Sequence, residues 1–295
     1  MTDGWTTQLT EWLRQACLVD VLSRKPGNVT PEHRFTDARV SDFVTSARVT
    51  APILAQAGNL GIGRSIFEAV SATRRTVGHN TNLGMILLLA PLAAVPSAVP
   101  LSPGIRTVLH GLTVDDADWT YRAVRMAAPG GLGASDVQDV RQPPTETLLK
   151  CMRHAADRDL IALQYASGFS AVLGTGLCWL LESGETVDES DRIGLVALQL
   201  LSEFGDSLIA RKCGTAASDA VREQAGKVLA TGWPESAAGQ RFWDEFDVFL
   251  RSDGNRLNPG TTADMIAAIV FAGLRGGVYV PDADLMACGE DEEAL

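Results

Sequence analysis

The stretch YRAVRMAAPGGLGASDVQDVR, residues 121–141, contains the pattern that the rest of the chain repeats. It begins with helical spacing and then stops, because Pro129 cannot continue a helix and three glycines follow it. Asp136 and Asp139 come directly after the glycines, and arginines flank the turn. Bare backbone amides beside carboxylates and guanidinium groups suit a phosphate-rich ligand that carries a metal ion. A helix C-cap followed by a loop with ordinary surface charges explains the same residues.

Composition predicts an all-α protein with a substantial core. The chain has 295 residues, of which 46% are hydrophobic and 6% aromatic, and β-branched runs are rare. Helical spacing recurs along most of the chain, with long helices predicted over 145–168 and 191–212. We therefore expect a single-domain multi-helix bundle over residues 1–282, with a polar pocket formed at helix ends. An acidic, frayed tail is expected over residues 283–295.

Charge and cysteine content exclude several classes of protein. The net charge of −11 argues against a general binder of nucleic acid or of membrane surfaces. The five cysteines are odd in number and none forms a CxxC pair, so neither a disulfide framework nor a zinc site is indicated. The longest apolar run, residues 83–95, is too short to span a bilayer, and no signal peptide is evident. The expected location is cytoplasmic, with reduced thiols.

One acid interrupts the apolar stripe of the first predicted helix. Residues 5–22 have the spacing of an amphipathic helix, and Asp20 falls near the end of its apolar stripe. An acid is unfavourable there unless it has a partner. The turn SRKPGN, residues 23–28, presents two cations beside it, although a turn with a solvated basic pair explains these residues equally well.

The same arrangement of a Pro or Gly turn, a helix end, and charged or polar side chains recurs along the chain. It is found at residues 20–28, 79–84, 129–141, 206–214 and 258–264. If the fold gathers these helix ends, they form a pocket for a polyphosphate and a divalent metal at the rim of a helical bundle. Other chemistries fit less well, because the four histidines are isolated and no Walker A, Rossmann or G-x-S-x-G pattern occurs.

Six ordered segments carry a resemblance to a known family. They are KPGN at 25–28, HNTNLG at 79–84, PGGLG with its following DV at 129–140, RDLIALQY at 158–165, SLIARKCG at 207–214 and LNPGTTAD at 257–264. In these segments the chain resembles the triphosphoribosyl-dephospho-CoA synthase family. The resemblance implies a mostly helical enzyme that transfers the triphosphoribosyl group of ATP to the 2′-hydroxyl of 3′-dephospho-CoA and releases adenine.

The first motif departs from the family pattern. The best-known members carry KPGL where this chain has KPGN, and Asp20 stands where they usually have Glu. The KPGN form resembles a side branch found with genes for one-carbon pterin-cofactor biosynthesis, which leaves the acceptor open. Two alternatives therefore stay beside the transferase. One is a helical Mg²⁺-dependent nucleotide-processing enzyme acting in that pathway, and the other is a non-catalytic helical binding protein.

The implied reaction assigns hypothetical roles to individual residues. Substitution at the ribose C1 passes through an oxocarbenium-like state, so an acid should help adenine leave and a carboxylate should take the hydroxyl proton. The predicted catalytic residues are Asp139, Asp157 and Asp159. Asp139 is ranked first because it follows residues 129–133, which we call the glycine turn. Residues predicted to bind ATP and its phosphates are Lys25, Asn80, Gly130, Gly131, Gly133, Arg211 and Lys212. Residues predicted to hold Mg²⁺ are Asp37, Asp206 and Asp264.

The sequence does not separate metal ligands from the base. The expected partners are ATP and dephospho-CoA or a related acceptor, with no nucleic acid and no membrane. A homo-oligomer remains open.

Overall fold

Regular structure in this protein is helical. The computed structural model describes residues 4–35, 38–182 and 187–293. Across these ranges the chain forms sixteen α-helices and one π-helical segment, and the only extended pairing is a single bridge between Thr30 and His33. The predicted all-α, single-domain bundle is confirmed.

The helices follow one another with short connections. In the first half they are α1 (Gly4–Leu22), α2 (Val40–Leu54), α3 (Ala57–Leu60), α4 (Ile62–Thr76), α5 (Leu83–Ala93), α6 (Leu101–His110) and α7 (Val114–Ala127). In the second half they are α8 (Leu148–Arg153), α9 (Leu160–Ser167), the π-helical segment (Ala171–Gly176), α10 (Leu177–Glu182), α11 (Glu189–Phe204), α12 (Ser207–Cys213), α13 (Thr215–Ala230), α14 (Ala237–Arg251), α15 (Gly260–Arg275) and α16 (Ala283–Glu293).

Helix α15 forms the centre of the bundle. Between Thr261 and Leu274 every side chain is buried except Asp264, which is partly buried. The helix contacts α1, α5, α11 and the π-helical segment, and a helix that is apolar on all sides is expected in such a position. A carboxylate near the start of this buried helix, one turn after Gly260, is therefore the feature that needs an explanation.

Helices α5 and α15 lie side by side and run in the same direction. At one end Asp264 approaches Gly84 in the first turn of α5. At the other end Arg275 donates hydrogen bonds to the carbonyls of Leu92 (2.7 Å) and Val95 (2.8 Å), and its guanidinium lies over the ring of Trp5. The cation satisfies carbonyls that the C-terminus of α5 leaves unpaired. Both N-termini consequently point toward the same end of the bundle.

A second, smaller core lies under α11, α13 and α14. Trp233 and Trp243 stack with ring centroids 4.0 Å apart, and Phe246 and Leu250 of α14 are buried with them. Gly27 of the KPGN turn packs onto this core in a left-handed conformation (φ +71°), where an added Cβ would lie 2.6 Å from Leu250 Cβ. The turn after α1 is thus held by a different part of the chain from the one that buries α1.

Two helices predicted as continuous are broken by an aspartate. The predicted helix 145–168 ends at Arg153, and α9 restarts after Asp159, whose carboxylate accepts from the backbone N–H groups of its first turn. The predicted helix 191–212 ends at Phe204, and Asp206 caps α12 in the same way. Aspartate is a preferred N-cap, and an amphipathic pattern that continues across the break conceals it.

The C-terminal residues also differ from the prediction. Where the sequence predicts a frayed tail over 283–295, the structure has helix α16, and Leu285 and Met286 pack against the core residues of neighbouring helices. Two apolar side chains among the acids suffice to hold the helix against α1 and α2.

No single helix within the described ranges is both long enough and apolar enough to cross a membrane. Two bent pairs, α9 with the segment 171–182 and α11 with α12, meet the criteria only jointly, with bends of 96° and 59°.

Helix α4 crosses α7 at close range where Gly63 meets Asp116. Gly63 donates its N–H to Asp116 Oδ1 at 2.9 Å, and a Cβ on Gly63 would overlap the backbone of Asp116. This crossing orients α7, which leads directly into the glycine turn.

We therefore expect Gly63→Ala to lower the free energy of unfolding by about 1–3 kcal/mol, because backbone atoms cannot yield to the new methyl group. Urea denaturation monitored by circular dichroism measures the change. Gly174→Ala is the control, since nothing lies within 4 Å of a Cβ there. A Gly63 variant as stable as the Gly174 variant would contradict the packing described for this crossing.

Candidate active site

One large cavity lies where the N-termini of α5, α9, α12 and α15 meet the glycine turn. Its volume is about 1430 Å³. All the predicted site residues that the structure describes line this cavity: Lys25, Asn80, Gly130, Gly131, Gly133, Asp139, Asp157, Asp159, Asp206, Arg211, Lys212 and Asp264. Asp37, predicted to bind metal, lies outside the described residues. Helix ends far apart in sequence therefore do gather around one space.

The Asp264 carboxylate lies against the first turn of α5. A Cβ on Gly84 would overlap Oδ2 and Cγ of Asp264, so only glycine at this position lets the carboxylate approach the helix. Asp264 accepts a hydrogen bond from the backbone N–H of Met85. The positive end of the α5 dipole and this donor stabilise an acid that burial in α15 disfavours.

Asp20 and Lys25 form a buried ion pair beside Asp264. The Lys25 ammonium lies 3.5 Å from Asp20 Oδ1 and also donates to the carbonyls of Asp20 and Ser23. Asp20 is 3% exposed and Lys25 equally so, yet both line the cavity. Asp20 Oδ1 is a buried atom with no hydrogen-bond partner in the described structure.

Asp20, Lys25 and Asp264 together form what we call the acidic centre. Burial is the largest cause of the pKa shifts there. Desolvation raises the pKa of Asp20 to about 6, against which the neighbouring Lys25 lowers it. Desolvation, with the charges of Asp20 and Asp206, raises the pKa of Asp264 well above its ordinary value. The pKa of the buried Cys17 thiol rises to about 12, through burial and then through Asp20 and Asp264. Two carboxylates with raised pKa values, close enough to influence one another, mark this as the part of the cavity suited to proton transfer.

Asp206 is buried but fully hydrogen-bonded. Its Oδ1 accepts from the N–H groups of Leu208 and Ile209, and its Oδ2 accepts from the N–H and the hydroxyl of Thr262, at 2.8–3.1 Å. Desolvation raises its pKa despite these four bonds. A carboxylate has about four acceptor positions, so none is left for a metal ion. The geometry supports a structural link between α12 and α15 rather than the predicted metal role.

Asp159 and Arg211 join α9 to α12. Oδ1 of Asp159 accepts from the N–H groups of Ile161 and Ala162 at 3.0 Å, and its Oδ2 accepts from Arg211 at 2.5 Å. Three acceptor positions of this carboxylate are therefore filled by groups of the protein. Asp159 thus presents Arg211 to the cavity.

The glycine turn rests on the last turn of α12. A Cβ on Gly130 would lie 3.0 Å from Lys212 Cε, and Gly131 has φ +74° with Arg211 backbone atoms 3.1 Å from such a Cβ. A Cβ added to Gly133 would have no atom within 4 Å. The first two glycines therefore permit a close approach of the loop to two cations, as the sequence pattern suggests, while the third faces open space.

Asp139, the residue ranked first as a catalytic group, is engaged by its own loop. It accepts from the N–H of Ser135 and from the N–H, Nε and Nη2 of Arg141, all at 2.7–2.8 Å. These bonds, first of all that from the Arg141 side chain, hold the pKa of Asp139 well below its ordinary value. A general base needs a pKa near the working pH, so this geometry does not support the predicted catalytic role.

The two remaining predicted residues lie at the rim. The Asp157 side chain is 80% exposed and pairs with Arg158 at 3.1 Å, in the turn between α8 and α9. Asn80 is exposed, and its Oδ1 accepts from the N–H of Leu83 at 3.1 Å. Capping of α5 therefore explains Asn80 without a ligand.

Comparison with known protein families identifies the family to which this chain belongs. The family model CitG, ATP:dephospho-CoA triphosphoribosyl transferase, matches residues 6–279. The chain belongs to the CitG family. It is accordingly a transferase of the triphosphoribosyl-dephospho-CoA synthase type, as the six motifs suggest.

A solved structure supports the same assignment. It is described as that of a triphosphoribosyl-dephospho-CoA synthase from Archaeoglobus fulgidus, and it shares 26% sequence identity and a TM-score of 0.63 with this CitG-family chain. The match covers 80% of this chain and 97% of the other. No curated protein sequence matches this chain significantly.

Sequence reasoning missed two residues that define the acidic centre of this CitG-family chain. Asp20 was noticed as an acid on an apolar stripe, and that signal could have placed it in the site, because such an acid needs a partner. Gly84 carried no comparable signal. Its role depends on Asp264, 180 positions later in the chain, and appears only when α5 and α15 are placed side by side.

The residues of the acidic centre fit a magnesium ion that is held partly by the substrate, rather than a metal ion held by protein side chains alone. No group of three His, Cys, Asp or Glu side chains that could hold a metal occurs within the described ranges. Mg²⁺ is commonly held by one or two carboxylates together with substrate phosphates and water. Asp264, which lines the cavity, would provide a hard oxygen ligand of this kind.

The contact between Gly84 and Asp264 can be tested directly. Gly84→Ala should displace the Asp264 carboxylate and lower kcat for adenine release by about tenfold to a hundredfold, because misplacement by about 1 Å has effects of this size. Circular dichroism should show a folded protein. Gly58→Ala serves as the control, since its new Cβ would make an ordinary 3.6 Å contact. Unchanged kcat in the Gly84 variant would separate this contact from activity.

The raised pKa of Asp20 predicts a pH-dependent stability. In the unfolded chain its carboxyl ionises near 3.8, and in the folded chain at about 6. Below 3.8 both forms are protonated and the folded state bears no penalty. As the pH rises toward 6 the unfolded chain releases its proton first, so the free energy of unfolding falls, by about 1–3 kcal/mol.

Asp20→Asn should lack this loss. Urea denaturation of both proteins in EDTA, from about pH 4 to about pH 7, should show the wild type losing stability relative to the variant. The substitution also removes the Asp20 charge that raises the pKa of Asp264, so the difference between the two proteins reports both effects, and they have the same sign. Parallel stability curves would show that Asp20 has an ordinary pKa.

Proposed function

We propose that the cavity binds ATP and a hydroxyl acceptor together and performs the transfer that characterises the family, with 3′-dephospho-CoA as acceptor. The observation that carries the proposal is that cations and buried acids line the same cavity. Arg211 and Lys212 line it beside the glycine turn, which we call the cationic end, and Asp20 and Asp264 line it near the first turn of α5, which we call the acidic end. A triphosphate requires cations and the reacting ribose requires acids, and both must lie within the length of one ATP molecule.

The cationic end suits the triphosphate. The last turn of α12 brings Arg211 and Lys212 beside the glycine turn, and Arg158 lines the same region. Guanidinium groups bind phosphate oxygens through paired hydrogen bonds, and an ammonium group adds a point charge. Asp159 holds Arg211 in place through the 2.5 Å ion pair described above.

The size of the cavity supports two substrates. Pockets for a single small ligand usually measure about 300–1,000 Å³, whereas this cavity measures about 1430 Å³. Apolar side chains also line it, among them Phe35, Phe43, Val124 and Met152. They offer surface for an adenine ring and for the uncharged part of a long acceptor.

The acidic end suits the chemistry at the ribose. Asp20, whose pKa of about 6 leaves it ionised at neutral pH, would accept the proton of the attacking hydroxyl. Asp264 would hold Mg²⁺ jointly with the phosphates, and the ion would neutralise charge on the triphosphate.

Purified protein incubated with ATP, Mg²⁺ and dephospho-CoA tests the proposal. We expect adenine release, followed by liquid chromatography, only when the acceptor is present, with a product mass equal to dephospho-CoA plus the triphosphoribosyl group. Removal of Mg²⁺ with EDTA should abolish turnover.

Other outcomes would identify the alternatives. Phosphate release, or adenine release without an acceptor, would indicate a hydrolase. Adenine release with a pterin acceptor but not with dephospho-CoA would retain the reaction and change the acceptor. No turnover with any acceptor, and no ATP-dependent rise in Tm, would indicate a binding protein.

A further inference from the structure

The Lys25 ammonium has no donor left for a substrate. An ammonium group has three N–H donors. Two of them point to the carbonyls of Asp20 and Ser23 at the end of α1, and the third side of the nitrogen faces Asp20 Oδ1 at 3.5 Å. The side chain is 1% exposed. The sequence predicts that Lys25 binds phosphate, but its three contacts with protein groups do not support that role.

The turn that carries Lys25 is fixed by contacts remote from the cationic end. Gly27 donates its N–H to Asp247 Oδ1 at 2.7 Å, and Arg251 donates to the Asn28 carbonyl at 2.8 Å. Asn258 donates to Asn28 Oδ1 at 3.1 Å. The lysine is therefore held under α1 by α14 and by the turn before α15.

Removal of Lys25 would leave Asp20 as an isolated buried charge. Cys17 and Asp264 also face Asp20, and neither supplies a compensating positive charge. In the described structure Lys25 is the cation that pairs with Asp20. Loss of one member of a buried ion pair is strongly unfavourable because the other charge has lost its compensation.

We propose that Lys25 is a positioning residue that acts on the reaction only through Asp20, and that it does not bind the phosphates of ATP. This inference rests on the proposed function, in which Asp20 accepts the hydroxyl proton. The phosphate role then falls to cations at the other end of the cavity. Lys212 is half-buried there, on the last turn of α12.

A comparison of three single variants separates the two roles of lysine. Lys25→Met should lower kcat by about tenfold to a thousandfold and change the KM for ATP by less than about threefold, because the effect of general-base catalysis is about 10²–10⁴-fold. Lys212→Gln should raise the KM for ATP by about tenfold or more, as expected for a lost charge-assisted hydrogen bond. Lys227→Gln is the control. It is 59% exposed, pairs with Glu223 and does not line the cavity.

A double-mutant cycle tests whether Lys25 acts through Asp20. In an Asp20→Asn background the second change, Lys25→Met, should alter kcat by less than about threefold, since residues that act as a unit are not additive. The double variant also removes both charges, so it should fold even if Lys25→Met alone does not. Calorimetry with ATP and Mg²⁺ measures the affinity of each variant without turnover.

Four results overturn the inference or its premise, and they can be told apart. A raised KM or weakened ATP binding on Lys25→Met, in either background, would make Lys25 a phosphate ligand and overturn the inference. Full multiplicative losses in the cycle would also overturn it. A wild-type protein that transfers no triphosphoribosyl group overturns the proposed function instead, and a fully active Asp20→Asn variant removes Asp20 as the base.

Discussion

The structure depends on the placement of acids at converging helix N-termini. Helices α5, α9, α12 and α15 all begin at the same cavity, and each has an aspartate at or against its first turn. Burial of several carboxylates in one region is unfavourable because their charges repel and lose hydration. The unpaired N–H groups and the positive dipole ends of the helices offset this cost. The cavity therefore exists because the acids and the helix ends stabilise one another.

Hydrogen bonding divides these acids into two groups. Asp139 and Asp206 each accept four hydrogen bonds, and Asp159 accepts three, so their carboxylates hold loops and helices in place. Asp20 Oδ1 accepts no hydrogen bond and has only its 3.5 Å ion pair with Lys25, and Asp264 has a strongly raised pKa. The same residue type is structural where its acceptor positions are filled and suited to chemistry where they are not.

Absent Cβ atoms permit the close approaches on which the site depends. Gly84 lets Asp264 reach α5, Gly131 lets the glycine turn rest on α12, and Gly27 lets the KPGN turn pack on α14. In each case the partner lies on a helix that is distant in sequence from the glycine. Six sequence motifs therefore describe one three-dimensional arrangement, because each motif supplies either a helix end or the space that another helix end needs.

The sequence by itself determined the helical class, the family and the set of helix ends that meet at the cavity, because composition, helical spacing and turn residues act locally. It did not reveal the breaks at Asp159 and Asp206, where a capping aspartate ends a helix within an uninterrupted amphipathic pattern. It also ranked Asp139 first among the catalytic candidates and did not include Asp20 among them. Only the tertiary structure decided which carboxylates are saturated. The loop conformation determines that Ser135 and Arg141 fill Asp139, and helix packing brings Arg211 to Asp159 and Thr262 to Asp206.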